Sequence, residues 1–282
     1  MGPVKHCTTL VTGATGFTGR HMLAHLRGRR EAVIGTVRRP TEGFVTCDVT
    51  QRAEVLAVLA KHKPDEVFHC AGTFTNTWDP DFGTNALAAK HLLEGIAELG
   101  LPSRVLLIGS AAEYGWPEAG AVPETAPLRP VSVYGLTKVM QTQIMGFAHR
   151  QLKGDVVMAR TFNLLGEGCS PALFPGRVQQ QIAALKAGKT DCIQVGPLES
   201  RRDYLPVTEA AAAYDRILQR GVSGEVYNVG SGHATPLTEV LRGLLAPHGL
   251  DLDVVRIAPL PGPPRPNVET VYADISKLQR LR

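Results

Sequence analysis

The sequence VTGATGFTGR occupies residues 11–20, between an apolar, β-branched run and an amphipathic segment. Its glycines are spaced G-x-x-G-x-x-G. Glycine at such positions allows a tight turn from strand to helix, where backbone N–H groups and the positive helix end can hold a pyrophosphate. The stretch therefore predicts a dinucleotide-binding turn, with a plain turn as the alternative. The residues expected to contact the cofactor here are Gly13, Thr15, Gly16, Phe17, Thr18 and Gly19.

Apolar runs alternate with amphipathic segments through the first half of the chain. The expected strands are CTTLVTG (7–13), AVIGTV (32–37), EVFHCAG (66–72), RVLLIGS (104–110) and DVVMART (155–161). The expected helices are Phe17–Arg27, Gln51–Lys61, Asn85–Leu99 and Tyr134–Leu152. Strands that alternate with helices form a parallel sheet covered on both faces. The pattern predicts a doubly wound α/β domain of the Rossmann type.

The second half has a different composition, with a Pro/Gly-rich loop at 164–176, a helix-like segment at 177–188 and a proline-rich arm at 258–267. Short strands such as CIQVG (192–196) and VYNVG (226–230) lie among these segments. We expect a smaller substrate-binding region here, interleaved with returns to the sheet. The predicted dinucleotide-binding domain comprises 1–163 and 200–223, and the predicted substrate-binding region comprises 164–199 and 224–282.

Composition narrows the class of protein. The 282 residues are 44% hydrophobic with a net charge of +4, which is typical of a globular chain, and no long basic stripe indicates nucleic-acid binding. The five cysteines are scattered and no histidine joins them at zinc spacing, so we expect reduced thiols and no metal site. No signal peptide and no membrane-spanning run is recognised, which favours a cytoplasmic location without membrane contact.

The second predicted strand ends in Arg38 and Arg39. An acidic residue at this place would bind the ribose hydroxyls of NAD, whereas guanidinium groups suit a 2′-phosphate. NADP(H) is therefore the expected cofactor, with NAD(H) as the alternative. A pair of arginines that only faces solvent would explain the same sequence without any role in cofactor binding. Other positions expected to contact the cofactor are Asp48, Val49, Ala71 and Gly72.

The segment SVYGLTK, residues 132–138, puts Tyr134 and Lys138 one helical turn apart. Their side chains therefore share one face of the predicted helix. A nearby ammonium favours phenolate, and such a tyrosine can exchange a proton with an alcohol or sugar oxygen. Ordinary packing explains the same spacing, so this pair alone decides nothing.

Further motifs give the chain a family resemblance. IGSAAEYG (108–115) has Ser110 four residues before Tyr114, and its distance from SVYGLTK is typical. Together with the glycine spacing, these motifs resemble extended short-chain dehydrogenases/reductases of the nucleotide-sugar branch. RTFNLLGEG, FPGRVQQQIAALKAGK, IQVGPLESRRDYLPVTEAAAAY and VYNVGSGHATPLTEVL resemble bacterial GDP-6-deoxy-D-mannose reductases, so that the likeness covers nearly the whole chain.

The resemblance implies roles for individual residues. Tyr134 would protonate the oxygen formed at C4, Lys138 would hold the nicotinamide ribose and lower the pKa of Tyr134, and Ser110 would hydrogen-bond the reacting carbonyl. Further substrate contacts are expected from Asn163, Arg202 and Arg265, the last two on the pyrophosphate. The family also implies a homodimer built on the helices at 85–99 and 134–152, and a GDP-linked substrate in preference to dTDP or UDP sugars.

Several enzyme reactions share these motifs, and the residues in which this chain differs from related enzymes narrow the choice among them. 4,6-Dehydratases carry a glutamate where this chain has Ala112, and we expect neighbouring Glu113 to point elsewhere. Epimerase-reductases would carry a cysteine there and a histidine after TFN, which LLGEGCSPALF lacks. NADPH-dependent 4-keto reduction is therefore predicted first and NAD-dependent 4-epimerisation second. A cofactor-sensing protein is the alternative outside enzymes, although such proteins commonly lose the tyrosine or lysine.

Overall fold

The computed structural model describes residues 7–258 and 269–281. Its strands are β1 (Thr8–Thr12), β2 (Ala32–Val37), β3 (Val45–Thr46), β4 (Glu66–His69), β5 (Arg104–Ser110), β6 (Gly120–Val122), β7 (Asp155–Thr161), β8 (Asn163–Leu165), β9 (Ile193–Val195), β10 (Arg201–Arg202), β11 (Tyr204–Pro206), β12 (Val226–Val229), β13 (Thr235–Pro236), β14 (Val255–Ile257) and β15 (Thr270–Ala273). Its helices are α1 (Phe17–Leu26), α2 (Arg52–His62), α3 (Trp78–Asp81), α4 (Ala88–Glu98), α5 (Val133–Gln151), α6 (Phe174–Lys186), α7 (Val207–Arg220), α8 (Leu237–Leu245) and α9 (Ser276–Gln279).

The main sheet is parallel and, within the described residues, has the order β12-β7-β5-β4-β1-β2-β3. All five strands predicted for the first half lie in it, which confirms the doubly wound fold. α1, α2 and α5 begin and end within one residue of prediction. α4 is shorter than predicted, because the segment Phe82–Leu87 before it is a π-helical turn.

Helices cover both faces of the main sheet with separate apolar cores. Residues of α2, α4 and α5 pack on one face, among them Leu59, Leu92 and Met145. Residues of α1 and α7 pack on the other, among them Met22 and Tyr214. Because the central strands are buried on both faces, their sequences are nearly continuously apolar, as the strand predictions assumed. Among the described helices, none combines the length and apolarity needed to span a bilayer.

The second half forms a smaller layer with its own core around α6, α8 and β9. The described small sheets here have the orders β13-β10-β15-β6, β11-β8 and β14-β9. The predicted boundary at residue 224 needs correction, because β12 follows it and pairs with β7 in the main sheet. Tyr227 and Val229 of β12 are buried in the core shared with α1 and α7, so this apolar strand contributes to the main core rather than to the small layer. β6, from the first half, joins the small layer instead.

The strand order reverses between β1 and β4, so the loops after these strands meet at the carboxyl edge of the sheet. Gly13, which follows β1, has φ +64°, and a Cβ there would lie 2.7 Å from Cα of Ala71 after β4. A Cβ on Gly19 would overlap the carbonyl oxygen of Gly13. Glycine at these two positions is therefore required by close backbone packing.

We predict that Gly13→Ala destabilises the protein more than Gly28→Ala does. Gly28 also has positive φ, +72°, but a Cβ there would meet nothing within 4 Å. Both variants should lose about 1–2 kcal/mol through the left-handed backbone, and Gly13→Ala a further ~1–3 kcal/mol through overlap with Ala71. Urea unfolding measures both, and equal losses would contradict the close packing.

Candidate active site

The first turn of α5 brings the predicted proton donor to the end of β5. Ser132 caps the helix by accepting a hydrogen bond from Gly135 N at 3.0 Å. A Cβ on Gly135 would lie 2.5 Å from the carbonyl oxygen of Ala112, so only glycine lets the helix approach the segment after β5 this closely. Tyr134 is therefore held beside Ser110, whose side chain is close enough to lower the pKa of the phenol.

Ser110 ends β5 and caps a short 3-10 turn, Ala111–Glu113. Its Oγ accepts a hydrogen bond from Ala112 N at 3.2 Å, and its backbone N–H donates to Glu113 Oε1 at 3.0 Å. This reciprocal arrangement is a capping box. Since the oxygen accepts from the backbone, the hydroxyl hydrogen remains to be donated elsewhere, as a carbonyl-binding serine requires.

Lys138 lies one turn further along α5 and is almost completely buried. Its Nζ donates to Ile108 O at 2.8 Å and to Gln141 Oε1 at 3.1 Å, and lies 5.9 Å from the centroid of the Tyr134 ring. A Cβ on Gly72 would be 3.7 Å from this Nζ. The ammonium therefore faces the loop after β4, where the predicted cofactor-contacting residues Ala71 and Gly72 lie.

The expected lowering of the Tyr134 pKa by Lys138 is wrong for this structure. The pKa of Tyr134 is raised to about 12, mainly by burial, which Ser110 opposes and to which Glu113 and Asp81 add. Burial also lowers the pKa of Lys138 to about 8, against attraction from Glu113. The phenol therefore keeps its proton at neutral pH.

The glycine turn and its surroundings fit a dinucleotide. Thr15 and Gly16 are exposed at the start of α1, where Gly16 is the N-cap, and Phe17 and Thr18 form its first turn. Arg38 and Arg39 are exposed at the end of β2, and their guanidinium groups make no hydrogen bond or ion pair within residues 7–258 and 269–281.

Asp48 and Val49 lie where the chain enters α2. Asp48 Oδ1 accepts from Thr50 N and from Thr50 Oγ1, at 3.0 and 2.7 Å, and Val49 packs against the core beneath α4. These bonds use one of the two carboxylate oxygens of Asp48. The other oxygen is not used by these bonds and can accept a further hydrogen bond.

Two of the predicted substrate-contacting residues, Asn163 and Arg202, adjoin Asp203. The amide of Asn163 donates to Asp203 O at 2.8 Å, and Arg202 precedes Asp203 in the chain. Asp203 is fully buried, and its carboxylate accepts from backbone N–H groups of Ser231, Gly232 and Ala273. Arg202 Nη1 donates to the carbonyls of Arg201 and Glu269. Arg265 lies outside the described residues.

Sequence reasoning missed several residues that build the site. Asn85, in the π-helical turn, bonds both backbone groups of Thr73 and the hydroxyl of Thr137. Phe74 stands edge-on to Tyr134 with ring centroids 4.8 Å apart. π-Helical turns are frequent at functional sites, but their sequence is not distinctive.

Glu113 was expected only to point elsewhere, and it does, because its carboxylate pairs with Arg160 at 2.9 Å. Both side chains are almost fully buried, at 0% and 2% exposure. The S-x-x-E spacing of the capping box was the available signal for the orientation of this glutamate.

Comparison with known proteins now identifies the family. The model of the NAD dependent epimerase/dehydratase family matches residues 9–230, which include all the predicted site residues except Arg265. The chain belongs to this family. Membership confirms the resemblance to extended short-chain dehydrogenases/reductases and makes the chain an enzyme that uses a nicotinamide cofactor.

Characterised members of the epimerase/dehydratase family differ in their reactions. GDP-6-deoxy-D-talose 4-dehydrogenase from Aggregatibacter actinomycetemcomitans is 31% identical over 230 residues, covering 79% of this chain and 74% of that protein. GDP-6-deoxy-D-mannose reductase from Pseudomonas aeruginosa is 28% identical over 260 residues, covering 87% and 82%. The structure of UDP-glucose 4-epimerase from Thermotoga maritima with UDP-glucose has a TM-score of 0.83 at 23% identity, covering 97% and 91%, and shares the fold.

We predict that Lys138 makes the protein more stable at alkaline pH. Its pKa is about 8 when folded and about 10.5 when unfolded, so the unfolded chain binds more protons between these values and stability rises with pH there. The gain from pH 7 to pH 10 should be about 2–3 kcal/mol, and Lys138→Met should lack it. Urea unfolding of both proteins isolates this difference, and identical pH dependence would contradict the burial of a titrating Lys138.

Proposed function

We propose that this protein reduces the 4-keto group of a nucleotide-linked 4-keto-6-deoxyhexose with NADPH. GDP-4-keto-6-deoxymannose is the proposed substrate and a GDP-6-deoxyhexose such as GDP-rhamnose the product. The observation that carries the proposal is the convergence of Ser110, Tyr134 and Lys138 beside a neighbouring carboxylate, Glu113, that is fully occupied by other partners. Such a site offers one proton donor and one carbonyl-binding hydroxyl.

Ketone reduction needs a hydride on carbon and a proton on oxygen. The bound cofactor supplies the hydride from its nicotinamide ring. Tyr134 holds the proton, because a phenol whose pKa lies well above 7 is protonated at neutral pH. Ser110 donates a hydrogen bond to the same oxygen and stabilises the negative charge that develops there. Lys138, facing the loop after β4, is suited to bind the ribose of the cofactor.

Two features of the site favour reduction over its competitors. A dehydratase needs a carboxylate at the position of Ala112. The neighbouring Glu113 does not supply it, because its carboxylate is paired with Arg160. The guanidinium groups of Arg38 and Arg39, which have no partner among the described residues, support NADPH, whose 2′-phosphate they can bind.

The remaining assignments rest on the resemblance and on the reductase and dehydrogenase relatives. Asn163 and Arg202 are proposed to contact the sugar and the pyrophosphate, with Arg265 as a further pyrophosphate contact. The proposed preference for a GDP-linked sugar is based on two relatives, a GDP-6-deoxy-D-mannose reductase and a GDP-6-deoxy-D-talose 4-dehydrogenase. A homodimer through α4 and α5 stays a prediction.

The test is NADPH oxidation by the purified protein with GDP- and dTDP-linked 4-keto-6-deoxysugars. We expect turnover with the GDP sugar, and a loss of roughly 10²–10⁴-fold in Tyr134→Phe, the size typical of a removed general acid. NADPH binding by Tyr134→Phe should stay intact as the control. Turnover only with a dTDP sugar would overturn the GDP assignment. No turnover, combined with tightly bound NAD in the purified protein, would overturn the reductase and favour an epimerase.

We predict that Arg38→Ala and Arg39→Ala weaken NADPH binding without weakening NADH binding. A hydrogen bond to a charged group contributes about 1.5–3 kcal/mol, so each variant should lose roughly ten- to a hundredfold in NADPH affinity. Fluorescence titration with the two cofactors checks this, with NADH as the internal control. Equal losses for both cofactors would mean that these arginines do not bind the 2′-phosphate.

A further inference from the structure

A buried polar network lies directly beneath the predicted catalytic residues. At its centre is the carboxylate of Glu113, whose Oε1 accepts from Ser110 N at 3.0 Å. Its Oε2 accepts from Thr142 Oγ1 at 2.6 Å and from Arg160 Nε at 3.0 Å. One carboxylate thus joins the end of β5, helix α5 and strand β7.

Thr142 belongs to the helix that carries the other two catalytic candidates. It lies four residues after Lys138, on the same face of α5 and about one turn further from Tyr134. The bond from Thr142 to Glu113 therefore fixes α5 against the segment that bears Ser110. Lys138 also joins α5 to β5 through its bond to Ile108 O, but Lys138 is expected to bind the cofactor as well. Thr142 has no such second role.

Arg160 makes the position of the carboxylate rigid. Its Nη1 donates to the hydroxyl of Tyr114 at 3.0 Å, and that hydroxyl donates to Asn228 Oδ1 on β12 at 2.7 Å. Arg160, Glu113, Tyr114 and Asn228 are all buried. A buried pair of this kind is a weak argument for net stability, because desolvating two charges offsets their attraction. The more informative property of the pair of Glu113 and Arg160 is that it fixes the position of the carboxylate.

We propose that Glu113 is a positioning residue that holds Ser110 at a fixed distance from Tyr134, by joining the end of β5 to α5 through Thr142. The proposal rests on the proposed ketone reduction, in which both hydroxyl groups must reach one carbonyl oxygen. A misplacement of about 1 Å can cost roughly a hundredfold in rate. Replacing Glu113 itself would leave Arg160 buried without a counter-ion, so Thr142 is the better place to test the link.

The chain contains a matched control at the amino ends of β1 and β4, on the side of the main sheet opposite the site. Thr9 Oγ1 donates to Glu66 Oε2 at 3.1 Å, and the same oxygen accepts from Arg30 Nε at 2.8 Å. Thr9 is fully buried. Thr9→Val therefore removes the same kind of bond, from threonine to an arginine-paired glutamate, far from Ser110. It should lower the melting temperature to a similar extent as Thr142→Val.

The experiment compares the reductase kinetics of wild type, Thr142→Val, Thr142→Ser and Thr9→Val. We expect kcat of Thr142→Val to fall roughly ten- to a hundredfold, with both KM values within about twofold. Thr142→Ser, which keeps the hydroxyl, and Thr9→Val should stay within about twofold of wild type in kcat. An unchanged kcat in Thr142→Val, an equal loss in Thr142→Ser, or an equal loss in Thr9→Val would each overturn the proposal.

If the wild type reduces none of the sugars, the proposed function fails and crystal structures decide the positioning role separately. The measured quantity is then the distance from Ser110 Oγ to Tyr134 Oη. Widening by more than about 0.5 Å in Thr142→Val but not in Thr9→Val would support the role, since functional geometry is held to about that tolerance. An unchanged distance in Thr142→Val would overturn it.

Discussion

The close contact between the backbones of Gly13 and Ala71 is the constraint on which the site depends. It holds the turn after β1 against the loop after β4, at the point where the strand order reverses. From there the contacts continue through Gly72 to Nζ of Lys138, and along α5 to Tyr134 and Ser110. The glycines are needed because the backbones approach to distances that no side chain permits. A parallel sheet supplies this edge, since all its strands end on the same side.

Burial at this edge determines the protonation states of the two catalytic candidates on α5. It disfavours the charged forms of both, so that Tyr134 stays neutral and the pKa of Lys138 falls to about 8. Glu113 lies close enough to influence both groups, yet its charge is matched by Arg160. The result is a phenol that retains its proton beside a serine whose hydroxyl is oriented by Ala112 N, which is an arrangement for protonating an oxygen.

Local sequence patterns were enough to predict most of the fold and the candidate reacting residues. The glycine spacing at 13–19 and the pair in SVYGLTK depend on one turn or one helix, so the sequence displays them directly. The partnership of Glu113 with Arg160 joins residues 47 positions apart, and no local pattern indicates it. The membership of β12 in the main sheet likewise depends on its pairing with β7. The direction of the Tyr134 pKa shift was mistaken because the spacing reports the proximity of Lys138 but not the burial of the phenol, which raises the pKa.

The most direct measurement follows the origin of hydrogen in the product. The reaction is run with the proposed GDP sugar, in water with NADPH deuterated at the transferring position and in D₂O with ordinary NADPH, and the products are examined by NMR. The account predicts one deuterium at C4 from the labelled cofactor and none from solvent at any ring carbon. Deuterium from D₂O at C3 or C5 would reveal 3,5-epimerisation, and product without cofactor deuterium at C4 would contradict direct reduction of the ketone.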